Sequence, residues 1–219
     1  METIKAIIFD MDGVLFDTET FYYNRRKTFL KEKGISIDHL PPRFFIGGNI
    51  KHIWQAILGD DYENWDVAQL QAEYAQYKAQ HPLPYKDLIF PDTVRVVQAL
   101  KEMGYALGLA SSTSKPDILR ALDEAGIRDY FSVVLSGEEF SRGKPYPDIY
   151  EAAIKKLDVS CDEAIVVEDS EKGIQAATSA HLPVWAIEDR MFGMDQSKAS
   201  RLLTDLGQLL GSLSTVVGR

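Results

Sequence analysis

The sequence has a single cysteine, Cys161, and no apolar run that approaches the ~20 residues needed to cross a bilayer as a helix. One cysteine excludes an intrachain disulfide, which is typical of proteins from a reducing compartment. Asp10 and Asp12 interrupt the apolar stretch near the N-terminus, so this stretch lacks the continuous apolar region of a signal peptide. We therefore expect a cytoplasmic protein.

The chain also has fewer basic than acidic residues. The chain has 24 Lys and Arg against 33 Asp and Glu, which gives a formal net charge of −9. This acidity argues against nonspecific binding to nucleic acid or to an anionic membrane. At 219 residues and 45% hydrophobic, the chain is long enough for one sizeable core or for a core with an inserted subdomain. We expect a monomer that binds neither nucleic acid nor a membrane.

Short apolar segments alternate with helical patterns over most of the chain. This alternation predicts an α/β fold in which a Rossmann-like parallel sheet is flanked by helices. The last segment has the pattern of an edge strand. The predicted strands are residues 4–9, 106–110, 132–135, 164–167, 183–187 and 201–203.

Three helical patterns, at residues 20–33, 50–58 and 67–80, follow the first strand before the next strand begins. We predict that residues 16–85 form an α-helical cap inserted into a catalytic core of residues 1–15 and 86–219. The predicted cap holds 13 of the 23 aromatic residues, which a small helical subdomain needs for its own core. We assign Phe29, Trp54 and Trp65 to that core. The sequence does not decide whether four tyrosines belong to the cap core or line a substrate pocket: Tyr22, Tyr23, Tyr74 and Tyr77.

Chemically active side chains follow three of the predicted strands. In open α/β sheets, ligands bind outside the carboxyl ends of the strands, so these side chains are expected to meet at one edge. A lysine on a loop before a predicted helix falls at the same edge. The residues concerned are Asp10, Asp12, Ser111, Ser112, Lys144, Glu168 and Asp169.

The order and spacing of these residues resemble the four motifs of the haloacid dehalogenase (HAD) superfamily of phosphotransferases. Residues 10–14 (DMDGV) match the nucleophile motif, and Ser111, Lys144 and Glu168-Asp169 match the other three. Residues 143–148 (GKPYPD) and 167–174 (VEDSEKGI) are similar to the branch that contains β-phosphoglucomutase and phosphatases of small metabolites. The resemblance covers nearly the whole chain.

The resemblance implies a role for each carboxylate. Asp10 is expected to attack phosphorus and form an acyl phosphate, and Asp12 to act as general acid and base. Carboxylates gathered without a cation would raise one another's pKa values, whereas Mg²⁺ is a hard ion served by oxygen ligands. The resemblance places Mg²⁺ on side-chain oxygens of Asp10 and Asp169 and on the backbone carbonyl of Asp12. Glu168 is either a direct ligand or an outer partner.

Hydroxyls and a lysine are expected to hold the phosphate. Ser111, Ser112 and nearby backbone N–H groups would bind a phosphoryl oxygen, and Lys144 would tie Asp10 to the phosphate. Each has an ordinary alternative: the serines fit a helix cap, and most lysines are solvated surface residues. The resemblance favours the functional interpretation.

In the cap, the resemblance points to Tyr22, Gly47, Asn49 and Lys51 as substrate contacts. Two departures weaken a mutase interpretation: β-phosphoglucomutases have a histidine where Tyr22 stands, and an arginine shortly after the cap-loop glycine. No arginine lies between Gly47 and Leu58, and lysine lacks the bidentate fork of arginine.

We therefore predict a Mg²⁺-dependent phosphatase for a small phosphorylated metabolite, with a sugar or polyol phosphate as the expected substrate. The alternative enzyme is a phosphohexomutase. A non-catalytic phosphometabolite-binding module on the same fold is the third interpretation.

Overall fold

The computed structural model describes residues 4–46 and 53–217. Its centre is a parallel sheet of six strands in the order β3-β2-β1-β4-β5-β6. This sheet confirms the predicted Rossmann-like α/β fold, and the edge strand at residues 201–203 lies where it was predicted. The strands are β1 Ala6–Phe9, β2 Ala106–Ser111, β3 Val133–Ser136, β4 Ala164–Glu168, β5 Val184–Ile187 and β6 Arg201–Leu203.

Strand β1 is buried on both faces because helices cover both sides of the sheet. Ile7 and Phe9 belong to one hydrophobic cluster, and Ala6 and Ile8 to the other. Side chains alternate across a strand, so a strand covered on both faces requires a continuous apolar run. The all-apolar segment before Asp10 therefore specifies a central strand.

The described residues contain nine α-helices. The patterns predicted at residues 20–33 and 67–80 begin and end within one residue of the observed helices. The pattern predicted at residues 50–58 is helical from Trp54, and its first three residues lie outside the described part of the chain. The four-residue helix at residues 85–88 was not predicted, because it is too short to show a helical period. The helices are α1 Glu19–Glu32, α2 Trp54–Leu58, α3 Val67–Gln80, α4 Tyr85–Leu88, α5 Thr93–Glu102, α6 Lys115–Glu124, α7 Asp148–Leu157, α8 Glu171–Ser179 and α9 Gln208–Val217.

The two hydrophobic clusters of the sheet are completed by different helices. Helices α5, α6 and α9 contribute Val97, Ile118 and Leu209 to one face, whereas α7 and α8 contribute Tyr150 and Ile174 to the other. Both faces are covered, so the open edge at the carboxyl ends of the strands is left for a ligand.

Helices α1 to α3 have a hydrophobic cluster of their own, which includes Phe29, Trp54 and Tyr74. Trp65 is partly buried against this cluster. Residues near both predicted junctions, among them Phe16 and Tyr85, pack in the core cluster instead. This separate packing supports the division into a core and a cap of residues 16–85, which stays a prediction; we use "cap" for these residues below.

No helix in the described part of the chain is long and apolar enough to span a bilayer.

Candidate active site at the carboxyl ends of strands β1, β2 and β4

The register of the sheet brings the ends of three strands together. Strand β1 pairs with β2 on one side and with β4 on the other, so Phe9 lies beside Leu109 and Val167. The Asp10 N–H donates to the Val167 carbonyl at 2.9 Å. Residues that follow these strands are therefore neighbours in space although more than 150 positions separate Asp10 from the last of them in sequence.

Lys144 joins the ends of all three strands. Its Nζ lies 2.7 Å from Asp10 Oδ1, 2.6 Å from Glu168 Oε1 and 3.0 Å from the Ala110 carbonyl. The side chain is 2% exposed. Burial by itself lowers the pKa of Lys144, but the Asp10 and Glu168 carboxylates outweigh burial and hold the pKa well above its usual value. Lys144 is therefore a fixed cation.

Glu168 accepts five hydrogen bonds. Oε1 accepts from Lys144 and from the Tyr150 hydroxyl at 2.8 Å. Oε2 accepts from the Asp169 N–H at 3.0 Å and from the Ser170 N–H and hydroxyl, both at 3.1 Å. Burial raises the pKa of Glu168, yet Lys144 and these hydrogen bonds lower it below its usual value. The ionised Glu168 thus holds Lys144 in place.

Two glycines allow the backbone to approach these carboxylates closely. A Cβ at Gly173 would lie 1.7 Å from Glu168 Oε1. Gly13 has φ +77°, and a Cβ there would lie 2.0 Å from Asp169 Oδ2. No other residue type fits either position without movement of the carboxylates.

Asp12 is held by three hydroxyls. Thr18 Oγ1 donates to Oδ1 at 2.6 Å, and Thr113 Oγ1 and Ser111 Oγ donate to Oδ2 at 2.8 and 3.3 Å. Burial raises the pKa of Asp12 against the effect of these hydrogen bonds. A fixed carboxyl group with a raised pKa is suited to give and take a proton in catalysis.

Three carboxylates form a cluster that fits a divalent cation. Asp10, Glu168 and Asp169 each offer an oxygen, and these oxygens lie within 4.8 Å of one another. Asp169 Oδ1 is buried without a hydrogen-bond partner among the residues that the structure describes. Burial, with added repulsion from Glu168, raises the pKa of Asp10 to about 8 and that of Asp169 well above its usual value. A hard cation would relieve this repulsion.

A cavity of about 170 Å³ opens above the cluster, between core and cap. Asp10, Asp12, Asp169 and Ser112 line its core side. Ser111 is fully buried and is not among the residues that line the cavity. Its hydroxyl donates to the Asp12 carboxylate. The structure therefore brings all seven predicted core residues to one place.

Of the four predicted cap contacts, only Tyr22 lies among the described residues. Tyr22 lines the cavity, and its hydroxyl lies 3.3 Å from the hydroxyls of Thr113 and Tyr85. The predicted contacts Gly47, Asn49 and Lys51 lie outside the described residues.

Of the four tyrosines left open, Tyr22 and Tyr74 line the cavity, Tyr74 is also a buried member of the cap cluster, and Tyr23 and Tyr77 pack against that cluster. Tyr23 packs on Phe45, and Tyr77 stacks on the His81 ring at 4.0 Å.

Sequence reasoning missed several residues of the site. Thr18 and Thr113 hold Asp12, and the position of Thr113 two residues after Ser111 is the local signal that marks it. Glu19, Arg25 and Arg26 line the cavity from α1. No periodic signal marks these three, because α1 mixes charged and aromatic residues on every side.

This geometry agrees with comparisons to known proteins. The haloacid dehalogenase-like hydrolase family matches residues 4–181. The chain belongs to this family. A Thermotoga maritima protein named phosphorylated carbohydrates phosphatase is 27% identical over 89% of this chain and 87% of its own length.

A crystal structure of β-phosphoglucomutase from Clostridium difficile superposes with a TM-score of 0.83, over 99% of this chain and 100% of that one. At 23% identity, this likeness concerns the fold alone. The chloroplast protein SUPPRESSOR OF QUENCHING 1 of Arabidopsis thaliana is 28% identical over 84% of this chain, which spans 18% of that longer protein.

Proposed function

We propose that this hydrolase is a Mg²⁺-dependent phosphatase that cleaves the phosphate ester of a small metabolite through an aspartyl phosphate on Asp10. The observation that carries the proposal is the placement of Asp10. It lines the cavity, pairs with the fixed cation Lys144 and lies in a carboxylate cluster that fits a divalent cation. Attack on an anionic phosphate requires a positioned nucleophile and nearby positive charge, and the site supplies both groups.

In the proposed first step, an Asp10 oxygen attacks phosphorus, the bond from phosphorus to the alcohol oxygen breaks, and Asp12 donates a proton to the departing alcohol. In the second step, Asp12 takes a proton from water, the water oxygen attacks phosphorus, and the bond from phosphorus to the Asp10 oxygen breaks, which frees inorganic phosphate and restores the Asp10 carboxylate. Lys144 keeps Asp10 oriented throughout. The hydroxyls of Thr18 and Thr113 fix Asp12 beside it.

The cation would be held by Asp10, Asp169 and the backbone carbonyl of Asp12, and it would neutralise the phosphoryl oxygens. We place Glu168 outside the direct ligands, because its two oxygens already accept five hydrogen bonds. Asp169 Oδ1 has no such partner among the described residues. Ser112 is the hydroxyl that we propose for a phosphoryl oxygen, since it lines the cavity.

A sugar or polyol phosphate is the proposed substrate class. A cavity of about 170 Å³ fits a small molecule. The relative from Thermotoga maritima is named for phosphorylated carbohydrates. A monomeric state, a cytoplasmic location and the lack of nucleic-acid or membrane partners stay predictions.

The test is phosphate release from a panel of sugar, polyol and nucleoside monophosphates, with and without Mg²⁺. We expect Mg²⁺-dependent release that Asp10→Asn abolishes. The matched control is Asp129→Asn, the same substitution at an exposed position of the core, which should retain activity. A panel without release from any ester contradicts the proposal.

The same panel separates a phosphohexomutase, which would return the phosphoryl group from Asp10 to another hydroxyl of the sugar. Conversion of β-glucose 1-phosphate to glucose 6-phosphate faster than phosphate release would favour the mutase. Tight binding of an ester without turnover in Mg²⁺ would favour a binding module.

A further inference from the structure

The two sides of the cavity carry opposite charges. The core side presents carboxylates, among them Asp10, Asp12 and Asp169. The cap side presents three cations and one carboxylate. These cap residues are Glu19, Arg25 and Arg26 on α1 and Lys78 on α3.

Arg26 is a buried cation whose hydrogen bonding is incomplete. It is 8% exposed, and its Nε has no hydrogen-bond partner among the described residues. Its guanidinium lies over the Phe45 ring, 4.7 Å from the centroid. None of the ion pairs in the described part of the chain includes Arg26, so Glu19 does not neutralise it directly. A buried charge without a paired counter-charge is unfavourable unless an anion completes it.

Arg26 donates a hydrogen bond to the Tyr74 side chain on α3. Arg25 is bound instead to a backbone carbonyl. Its Nη1 donates to the His81 carbonyl at 2.8 Å, where α3 ends. Its Nε, like that of Arg26, lacks a partner in the described structure. Arg25 therefore ties α1 to the end of α3, whereas Arg26 keeps guanidinium donors for a ligand beyond its hydrogen bond to Tyr74.

We propose that Arg26, supported by Lys78, binds a second acidic group of the substrate, a carboxylate or a second phosphate, at the end opposite to the phosphate that Asp10 attacks. The inference rests on the proposed function and names a substrate class for that site. A guanidinium binds an oxyanion through two parallel hydrogen bonds, and Arg26 lines the cavity although it is only 8% exposed to solvent. A short molecule with an acid at each end would span the two sides.

The first arm of the test compares matched esters at a fixed concentration of free Mg²⁺. The pairs are 6-phosphogluconate with glucose 6-phosphate, for a carboxylate, and fructose 1,6-bisphosphate with fructose 6-phosphate, for a second phosphate. We expect kcat/KM to be about tenfold or more higher for the doubly acidic member of at least one pair, because a site built to pair a charge rejects an analogue that lacks it. The pair that shows the preference identifies the acid.

The second arm asks whether Arg26 causes the preference. Arg26→Gln should lower kcat/KM about tenfold for the doubly acidic ester and leave the singly acidic ester within about threefold. Arg26→Lys keeps the positive charge but cannot form two parallel hydrogen bonds. Its kcat/KM for the doubly acidic ester should therefore lie between those of the wild type and Arg26→Gln. Lys31→Gln, which removes an exposed cation from the same helix, is the control and should preserve the ratio.

The outcomes are distinguishable. If Arg26→Gln lowers kcat/KM equally for both members of a pair, Arg26 acts on the structure or on the transferred phosphate, and the inference is overturned. Release without preference in either pair also overturns it while the phosphatase stands. If no ester releases phosphate, the proposed function fails and the inference falls with it. Should Arg26→Gln not fold, the wild-type ratios and Arg26→Lys still decide.

Discussion

The core and cap sides of the cavity differ in how their buried charges are paired. On the core side the buried cation is paired across neighbouring strands: Lys144 contacts Asp10 and Glu168 within 2.7 Å, and hydroxyls fix Asp12. On the cap side Arg26 is equally buried but has no ion-pair partner among the described residues. The difference indicates that chemistry is preorganised at the rigid sheet edge, whereas the cap is left to be completed by a ligand.

Substitution of Asp12 tests the core side most strongly. Asp12→Asn keeps the shape of the side chain and removes its proton exchange, so we expect turnover to fall by about 10²- to 10⁴-fold. The measurement is kcat for phosphate release. Asp17→Asn, at an exposed residue five positions later, should leave kcat nearly unchanged. Full activity of Asp12→Asn would remove Asp12 from the mechanism.

Loss of a buried cation should have opposite consequences on the two sides. Lys144→Met leaves Asp10 and Glu168 buried without their partner and should lower the free energy of unfolding by about 3–5 kcal/mol. Arg26→Met removes a charge that lacks an ion pair in the described structure, and should leave stability unchanged or raise it. Urea denaturation of the metal-free proteins gives both values. If both variants lose the same free energy of unfolding, the two sides do not differ in how their buried cations are paired.

The close approach of α8 to Glu168 predicts a smaller effect. Gly173→Ala places a methyl group 1.7 Å from Glu168 Oε1 and should cost about 3 kcal/mol, the upper end for overpacking. Gly211→Ala in α9 meets no atom within 4 Å, so it should stabilise by about 0.5–1 kcal/mol. Both variants are compared by thermal denaturation. A harmless Gly173→Ala would show that Glu168 is free to move.

Cation binding should produce the smallest shift. Mg²⁺ at ten times its Kd is expected to stabilise the protein by about 1.4 kcal/mol, because it binds the folded carboxylate cluster. The measurement is Tm with and without Mg²⁺ or a chelator. Asp169→Asn should abolish the Mg²⁺-dependent rise, and Arg26→Met, on the cap side, should retain it. A rise that persists in Asp169→Asn would place the cation elsewhere.

The sequence by itself determined the fold class and the carboxylates of the site. A continuous apolar run specifies a central parallel strand, and such strands present their following residues at one edge. Asp10, Asp12, Glu168 and Asp169 follow strands of this kind, so their convergence was predictable from local pattern. The helix bounds of α1 and α3 were also predictable, because the helical period and the residues that end a helix are local features of the sequence.

Only the tertiary structure decided which partners these residues have. Lys144 lies 134 positions from Asp10, and the loop that carries it has no periodic signal that fixes its reach. The hydroxyls of Thr18 and Thr113 converge on Asp12 from two separate segments.

The burial of Arg26 was likewise undetectable, because local sequence predicts exposure for an arginine on a mixed helix. Packing against Phe45 and the facing core places it in the cavity. Local patterns determine which elements form, and contacts between distant segments determine which of their charges are paired.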